Sequence, residues 1–328
     1  MPWSAKTVPF STLMRSDLMS NHVDLSVTIG KLRLKNPVMP SSGTFGYGEE
    51  FADFLNLNDL GAVVVNRVTL NPKMGNFQNR CIEISGCAYL VTIGQQNMGV
   101  DHYIKRNLPY LRRFNVPVIV NIAGNDAQEY VRITEILMKA QGADAIEINL
   151  SCPNLKEGGR SFCAHADTTF NIVKAVRNVT DLTIMPKVNP TTTDVTVLAR
   201  TCEEAKADGL VITVGQPGMS IDINTRKSKL GKNVTGALGG PGIKPVILRM
   251  VYNAALAVKE MPVIGSGGIT NAEDALEFII AGATAVQIGH YNLIDPEVTI
   301  KTIEGIKQYM IANGLKSMNE IIGTIILS

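Results

Sequence analysis

Eight short apolar runs, rich in Val and Ile and separated mostly by helical stretches, constrain what this chain can fold into. Near-continuous apolar runs are typical of strands that are buried on both faces, as in a parallel sheet. Eight such strands with interleaved helices, over roughly 300 residues, predict a (β/α)8 barrel. A doubly wound open sheet is the alternative. The runs comprise residues 37–42, 62–67, 118–122, 145–150, 183–188, 209–214, 263–265 and 285–288.

Two stretches, 69–115 and 217–240, contain no clear strand–helix unit. In a barrel they are predicted to be insertions after the second and sixth strands. Such insertions lie on the C-terminal face, where barrel enzymes carry their chemistry. We therefore divide the chain into a loose N-terminal extension, 1–22, and a single barrel domain, 23–328.

The helical stretches can be placed from their apolar spacing and their end signals. Apolar residues recur at helical spacing over 194–205 and over 243–259, which predicts a helix in each. Thr270 and Glu273 have the pattern of a capping box. A further helix is therefore expected to begin at Thr270.

The composition narrows the class of protein. The 328 residues are 45% hydrophobic with a net charge of +2, which excludes a disordered chain and argues against binding nucleic acid through a basic surface. No apolar run approaches the ~20 residues of a transmembrane helix, so no membrane association is expected. The five cysteines and four histidines show neither a disulfide framework nor metal-ligand spacing. We expect no bound metal and a reducing, cytoplasmic location.

Polar and glycine residues cluster where the predicted strands end, and in a barrel these ends meet at one mouth. Gly267 and Gly268 precede the predicted helix after the seventh strand, and Gly289 follows the eighth strand. Glycine lets backbone amides approach an anion closely, and a helix N-terminus favours negative charge. We therefore expect a phosphate-bearing ligand here, the alternative being that these glycines only mark turns.

Two residues at the predicted mouth have side chains that can carry chemistry. Lys187 ends the fifth strand, where burying an unpaired ammonium is costly. It is expected to be either a Schiff-base lysine or a cation beside an electron-accepting cofactor. Cys152 follows the fourth strand. A free cysteine is more often a small buried hydrophobe, but its place in a mouth loop favours a catalytic base.

Four motifs resemble the class 1 dihydroorotate dehydrogenases, and among them the B-type catalytic subunit. The similarity runs from about residue 23 to the C-terminus. The loop around Cys152 is its most specific part. The motifs are Phe-Gly-Tyr-Gly-Glu-Glu at 45–50, Asn-Leu-Ser-Cys-Pro-Asn at 149–154, Thr-Gly-Ala-Leu-Gly-Gly-Pro at 235–241 and Gly-Ser-Gly-Gly at 265–268.

The resemblance implies an FMN-binding barrel that oxidises dihydroorotate to orotate in pyrimidine biosynthesis. It implies that Cys152 removes a proton from the substrate while a hydride passes to N5 of FMN, and that Lys187 stabilises negative charge on the reduced flavin. The residues expected to hold the flavin are Ser42, Gly43, Asn121, Asn149, Lys187 and Gly215, with Gly240, Gly267, Gly268, Gly289 and His290 at its phosphate end. The residues expected to contact the substrate are Asn149, Asn154, Asn66, Arg67, Gly94 and Asn97.

Several positions depart from the family pattern. Asn66 stands where the family usually has a Lys, Val91 and Val214 stand where it has Asn, and His290 replaces the usual Thr of the phosphate site. An unpaired buried polar group costs roughly 1–3 kcal/mol, so dihydroorotate is expected to bind poorly unless another polar side chain compensates. The candidates for compensation are Arg67, Gln95, Gln96 and Gln216.

Three alternatives to a dihydroorotate dehydrogenase follow. One is a paralogue with the same flavin chemistry on a less polar substrate, whose reacting carbon–carbon bond lies next to a carbonyl. Another is a flavin- or partner-binding subunit without turnover, which the retained Cys152 argues against. The last is a barrel enzyme that uses Lys187 as a Schiff base on a phosphorylated substrate. The resemblance alone also implies a homodimer and a partner subunit that carries FAD and an iron–sulfur cluster.

Overall fold

The computed structural model describes residues 23–84, 88–151, 153–154, 160–213 and 215–327. Only the backbone is described for Pro153, Asn154 and Arg160. The extension 1–22, Cys152 and Val214 lie outside the described residues, so what was expected of them stays a prediction.

Eight parallel strands form one nearly closed sheet, which confirms the predicted (β/α)8 barrel. The strands follow one another around the sheet in chain order, and the first and last strands pair with each other. Each of the eight predicted apolar runs overlaps one of these strands. The strands are β1 (Val38–Pro40), β2 (Val63–Val68), β3 (Val118–Ile122), β4 (Ala145–Asn149), β5 (Thr183–Val188), β6 (Leu210–Ile212), β7 (Val263–Ser266) and β8 (Ala283–Ile288).

Helices cover the outside of the sheet and pack against it through buried apolar residues. The predicted helices over 194–205 and 243–259 are present, each shorter by one or two residues at its ends. The helices are α1 (Val100–His102), α2 (Leu108–Leu111), α3 (Ala127–Lys139), α4 (Ala166–Arg177), α5 (Val195–Glu204), α6 (Lys244–Ala257), α7 (Ala272–Ile280) and α8 (Val298–Ala312). No helix within the described ranges is both long and apolar enough to cross a membrane.

The N-terminus of α7 differs from the expected capping box. Its cap is Asn271, whose side chain accepts a hydrogen bond of 3.0 Å from the amide of Asp274. Asp274 in turn accepts hydrogen bonds from the amide and the hydroxyl of Thr270, at 2.8 and 2.7 Å. The predicted pair of Thr270 and Glu273 is therefore wrong by one position, because the carboxylate that reaches back is that of Asp274.

The two insertions meet at the C-terminal end of the barrel, as predicted, and they combine into one four-stranded antiparallel sheet. The insertion after β2 contributes strands Cys81–Ile84 and Ala88–Val91, and the insertion after β6 contributes Gln216–Gly218 and Gly236–Gly239. Ala88–Val91 and Gly236–Gly239 pair with each other at the centre of this insertion sheet. Both insertions therefore contribute to one wall above the barrel mouth.

Candidate active site

A cavity of about 610 Å³ opens at the C-terminal ends of the barrel strands. The strand ends form its floor, and the insertion sheet forms one wall through Tyr89, Val91 and Gly236–Gly239. The volume is in the range of small-molecule and cofactor sites. The position is the one at which (β/α)8 enzymes place their active sites.

Lys187 lies at the floor of this cavity, near the end of β5, and is only 2% exposed. Its Nζ donates hydrogen bonds to Oε1 of Gln287 at 2.7 Å and to Oγ of Ser41 at 3.0 Å. Burial lowers the pKa of Lys187 and the charge of Arg67 lowers it further, while the Glu147 carboxylate raises it; the net pKa lies below the usual value. Lys187 therefore depends on its buried partners for its charge.

Glu147 in β4 is fully buried beneath the cavity and is the acidic partner of Lys187. Its Oε1 lies 3.3 Å from Nζ of Lys187 and accepts hydrogen bonds from Nδ2 of Asn121 at 2.5 Å and Oγ of Ser42 at 3.1 Å. Its Oε2 accepts a hydrogen bond of 2.6 Å from Nε2 of Gln287. Each of these polar groups is paired, as buried polar groups must be to avoid a large desolvation penalty.

The predicted phosphate end consists of bare backbone. Gly240, Gly267 and Gly268 line the cavity with φ values of 111, 136 and 74°, which side-chain-bearing residues rarely adopt. A Cβ on Gly268 would lie 2.7 Å from Cα of Lys244, the first residue of α6. Amides at glycines beside the start of a helix form a suitable place for a phosphate.

His290 and Tyr89 join the barrel to the insertion sheet beside these glycines. The imidazole and the phenol ring are stacked, with centroids 6.2 Å apart and planes within 9° of parallel. Burial lowers the pKa of His290, so the imidazole is neutral at pH 7. A Cβ on Gly239 would collide with the imidazole ring. The aromatic stack therefore requires glycine at position 239.

Arg67 and Lys73 bring positive charge to the cavity wall, and none of the described lining residues is an Asp or a Glu. Nε of Arg67 and Oγ of Ser151 are buried and have no hydrogen-bond partner among the described residues. Nζ of Lys73 donates a hydrogen bond of 2.8 Å to Oε1 of Gln95. A cavity with unopposed cations and unpaired polar atoms favours an anionic ligand.

The structure brings most of the predicted site residues to this one cavity. The predicted residues that line the cavity are Ser42, Gly43, Asn66, Arg67, Gly94, Asn149, Lys187, Gly215, Gly240, Gly267, Gly268, Gly289 and His290. The side chain of Asn66 caps the backbone of the next residue, because its Oδ1 accepts a hydrogen bond of 2.9 Å from the amide of Arg67. Cys152 and the side chain of Asn154 lie outside the described residues.

Two predicted site residues are buried elsewhere instead of lining the cavity. Asn121 lies below the floor, where it donates to Glu147. The side chain of Asn97 accepts a hydrogen bond from the amide of Thr69 at 3.2 Å and donates one of 2.8 Å to the carbonyl oxygen of Gln95. Asn97 therefore shapes the loop that carries Gln95.

Sequence reasoning missed Glu147 and Gln287, the partners of Lys187. Each is a single polar residue within an apolar stretch of its strand, in Ala-Ile-Glu-Ile and Ala-Val-Gln-Ile. An acidic residue that interrupts a strand buried on both faces needs a buried partner. That signal points to a cation inside the barrel, and Lys187 is such a cation.

The fold and the cavity together define a (β/α)8-barrel enzyme whose site, at the strand C-termini, is built for an anionic ligand over a buried lysine. A family model described as dihydroorotate dehydrogenase matches residues 24–310. The chain belongs to the dihydroorotate dehydrogenase family. Enzymes of this family are oxidoreductases that act on CH–CH groups, and the family implies a flavin cofactor.

Individual relatives support the same assignment over nearly the whole chain. The chain is 48% identical over 303 residues to the dihydroorotate dehydrogenase B (NAD(+)) catalytic subunit of Thermoanaerobacter sp. (strain X514), covering 92% of this chain and 99% of that one. It is 45% identical over 302 residues to the protein of the same name from Geobacter metallireducens, covering 92% and 98%. The corresponding protein of Bacteroides thetaiotaomicron is 44% identical, with 92% and 99% covered.

Proposed function

We propose that this chain is the FMN-binding catalytic subunit of a dihydroorotate dehydrogenase, which oxidises dihydroorotate to orotate in pyrimidine biosynthesis. The observation that carries the proposal is the buried Lys187 at the floor of a cavity that favours anions. The relatives are named as catalytic subunits of an NAD(+)-linked enzyme. We therefore also propose a partner subunit that passes electrons to NAD. The homodimeric state and the cytoplasmic location stay predictions.

The described residues fit FMN. The bare glycine backbone at Gly240, Gly267 and Gly268 suits a phosphate, and Lys187 at the floor suits the electron-accepting ring. Two buried polar atoms in the lining, Nε of Arg67 and Oγ of Ser151, have no hydrogen-bond partner among the described residues, and a bound ligand would supply one. FMN, when bound, supplies a two-electron acceptor.

The proposed proton acceptor is Cys152. Its described neighbours tie the start of the loop to the end of β4. Oδ1 of Asn149 accepts a hydrogen bond of 3.1 Å from the amide of Ser151, and the carbonyl oxygen of Asn149 accepts one of 2.6 Å from the hydroxyl of Tyr130. Ser151 itself lines the cavity. These hydrogen bonds hold Ser151, the residue before the proposed base, at the end of β4. General-base catalysis requires a base that is positioned at the substrate.

The cavity wall supports a second candidate function, which is the same flavin chemistry on another substrate. Val91 lines the cavity and offers no side-chain hydrogen bond. Asn66 is neutral, and its Oδ1 accepts a hydrogen bond from the amide of Arg67. A substrate whose ring is less polar than dihydroorotate, with a carbon–carbon bond next to a carbonyl, matches this wall. Its anionic group would still meet Arg67 and Lys73.

One anaerobic titration separates the two candidates. The purified chain is loaded with FMN, dihydroorotate is added without oxygen, and the visible flavin absorption is followed. Rapid bleaching is the expected result and supports dihydroorotate oxidation. A protein that dithionite bleaches but dihydroorotate does not supports the second candidate. Failure to bind FMN contradicts both candidates, and it reopens the Schiff-base alternative for Lys187.

A further inference from the structure

We infer that Glu147 is a positioning residue, which keeps Lys187 charged beneath the flavin site. We also infer that Gln287 orients this pair, because it donates a hydrogen bond to Glu147 and accepts one from Lys187. The inference rests on the proposed function, because it assumes that the partner of Lys187 in the cavity is FMN. It assigns a role to two fully buried side chains that form no part of the cavity lining.

The geometry matches an ammonium better than a neutral amine. Nζ of Lys187 has three acceptors around it: Oε1 of Gln287 at 2.7 Å, Oγ of Ser41 at 3.0 Å and Oε1 of Glu147 at 3.3 Å. A lysine ammonium has three donor hydrogens, whereas the neutral amine has only two. Loss of the proton would turn a lone pair of the amine toward one of these oxygens. Of the three, only the hydroxyl of Ser41, which now donates to Gln287, has a hydrogen to give.

Glu147 supplies the charge that this arrangement requires. The charged groups that act on Lys187 within the described structure are Glu147, which favours the ammonium, and Arg67, which opposes it. The other two hydrogen-bond partners of Lys187 are neutral: Ser41, which follows β1, and Gln287 in β8. Without the carboxylate, burial and Arg67 act together, so Lys187 is expected to lose its proton within the working pH range.

Gln287 orients the pair through its two ends. Its Nε2 donates to Oε2 of Glu147 at 2.6 Å, and this contact directs its Oε1 toward Lys187. In E147Q the oxygen of the new amide has to accept hydrogen bonds from Asn121 and Ser42, because both of them donate to Oε1 of Glu147 in the native protein. Its NH2 group then faces the NH2 group of Gln287, and two donors oppose each other.

A swap of the two side chains removes this conflict. In the double variant E147Q/Q287E, the amide at position 147 keeps its oxygen toward Asn121 and donates to the carboxylate at position 287. That carboxylate takes the place of the atom 2.7 Å from Nζ of Lys187. The charge and every donor–acceptor pair are thereby restored on the opposite side of the lysine.

The test counts the protons taken up when bound flavin is reduced. Each FMN-loaded protein is reduced stepwise with dithionite beside an indicator dye, and the midpoint potential is measured as a function of pH. Beside a charged Lys187, two-electron reduction takes up one proton, on the flavin. Beside a neutral Lys187 it takes up two, one on the flavin and one on the amine. The potential then falls twice as steeply with pH.

We expect one proton for the native protein, two for E147Q and one again for E147Q/Q287E. The variant E304Q, with its substitution on the exposed side of α8, is the matched acid-to-amide control and is expected to behave as the native protein. Flavin-loaded E147Q with native proton uptake contradicts the inference alone. If E147Q loses its flavin, the swap decides, since recovery of flavin and of one-proton uptake supports the inference and continued loss contradicts it. A native chain without flavin contradicts the proposed function and this inference with it.

Discussion

The ammonium of Lys73 donates a hydrogen bond of 2.8 Å to the side-chain oxygen of Gln95, which is held at a φ of 61°. A left-handed backbone is uncommon for a residue other than glycine, and such strain clusters at ligand-binding sites. Asn97 holds the same loop through the carbonyl oxygen of Gln95. The loop thus presents an amide to a lysine inside the cavity, and a neutral partner leaves the charge of Lys73 free to attract an anion.

Replacing Lys73 with Met removes this charge and keeps most of the apolar stem. Loss of one charge-assisted hydrogen bond costs about 1.5–3 kcal/mol, so binding of orotate is expected to weaken by roughly 10- to 100-fold. The perturbation of the flavin spectrum on titration with orotate measures the Kd. K139M, with its substitution at the exposed end of α3, is the control. An unchanged Kd in K73M would remove Lys73 from the binding site.

Replacing Lys187 with Met leaves the buried carboxylate of Glu147 without its cationic partner. Breaking one partner of a buried ion pair costs about 3–5 kcal/mol, whereas removing both charges is much less costly. K187M is therefore expected to unfold at lower denaturant concentration than K187M/E147Q, and both are expected to bind FMN more weakly than the native protein. Urea unfolding and flavin fluorescence measure the two effects. Native flavin affinity in K187M would argue against a place for Lys187 at the flavin.

Replacing Cys152 with Ala tests the proposed base. Loss of a general base slows the reaction by about 10²- to 10⁴-fold, while the flavin spectrum and FMN affinity are expected to stay native. Anaerobic stopped-flow reduction by substrate gives the rate. C81A serves as the control because Cys81 is exposed on the insertion sheet. Native rates of flavin reduction in C152A would contradict the role of Cys152 as the base.

Replacing Gly268 with Ala tests the phosphate end. The residue has a φ of 74°, and its new Cβ would lie 2.7 Å from Cα of Lys244. We expect the loop to shift and FMN affinity to fall at least about 10-fold, the loss of roughly one charge-assisted hydrogen bond. G242A is the matched control, since a Cβ there meets no atom within 4 Å. Fluorescence quenching of added FMN reports both affinities, and equal values would contradict the assignment of this end to the phosphate.

Acid stability is expected to depend on Asp274, which joins the start of α7 to Lys244 of α6 through an ion pair of 2.6 Å. Burial opposes ionisation of Asp274, but hydrogen bonds from Lys244 and Thr270 outweigh it, and the pKa lies below the usual value. A lowered folded-state pKa stabilises the protein above the unfolded pKa of about 3.9, and this contribution is lost as the pH falls through the folded value.

The variant D274N therefore should be less stable than the native protein at pH 7, by about 1.5–3 kcal/mol. The difference is expected to shrink as the pH falls below about 4. Urea unfolding at a series of pH values measures it. The variant E273N, which alters the neighbouring exposed acid of the same helix turn, is the control. A difference that is constant with pH would contradict the role given to the ion pair.

Local sequence was enough to place the barrel strands. A run such as residues 118–122 is apolar on both faces because helices cover one side and the barrel interior the other, so burial leaves its mark on consecutive residues. The special backbone at Gly267 and Gly268 could be predicted for a similar reason, since a positive φ restricts the residue type at the position itself. The cap of α7 was misplaced by one residue because Glu273 and Asp274 compete locally for the same role.

The charge state of the site was decided by tertiary structure. Glu147, Lys187 and Gln287 lie on β4, β5 and β8, with 40 residues between the first two and 100 between the last two. Only closure of the barrel brings them together, and no local pattern encodes which partner a buried lysine meets. The two insertions likewise pair across the mouth, Leu90 opposite Leu238, although each alone gave no strand signal. The sequence therefore determined the scaffold and its glycine-lined end, because these depend on burial and backbone conformation at single positions. Long-range pairing decided the electrostatics of the floor.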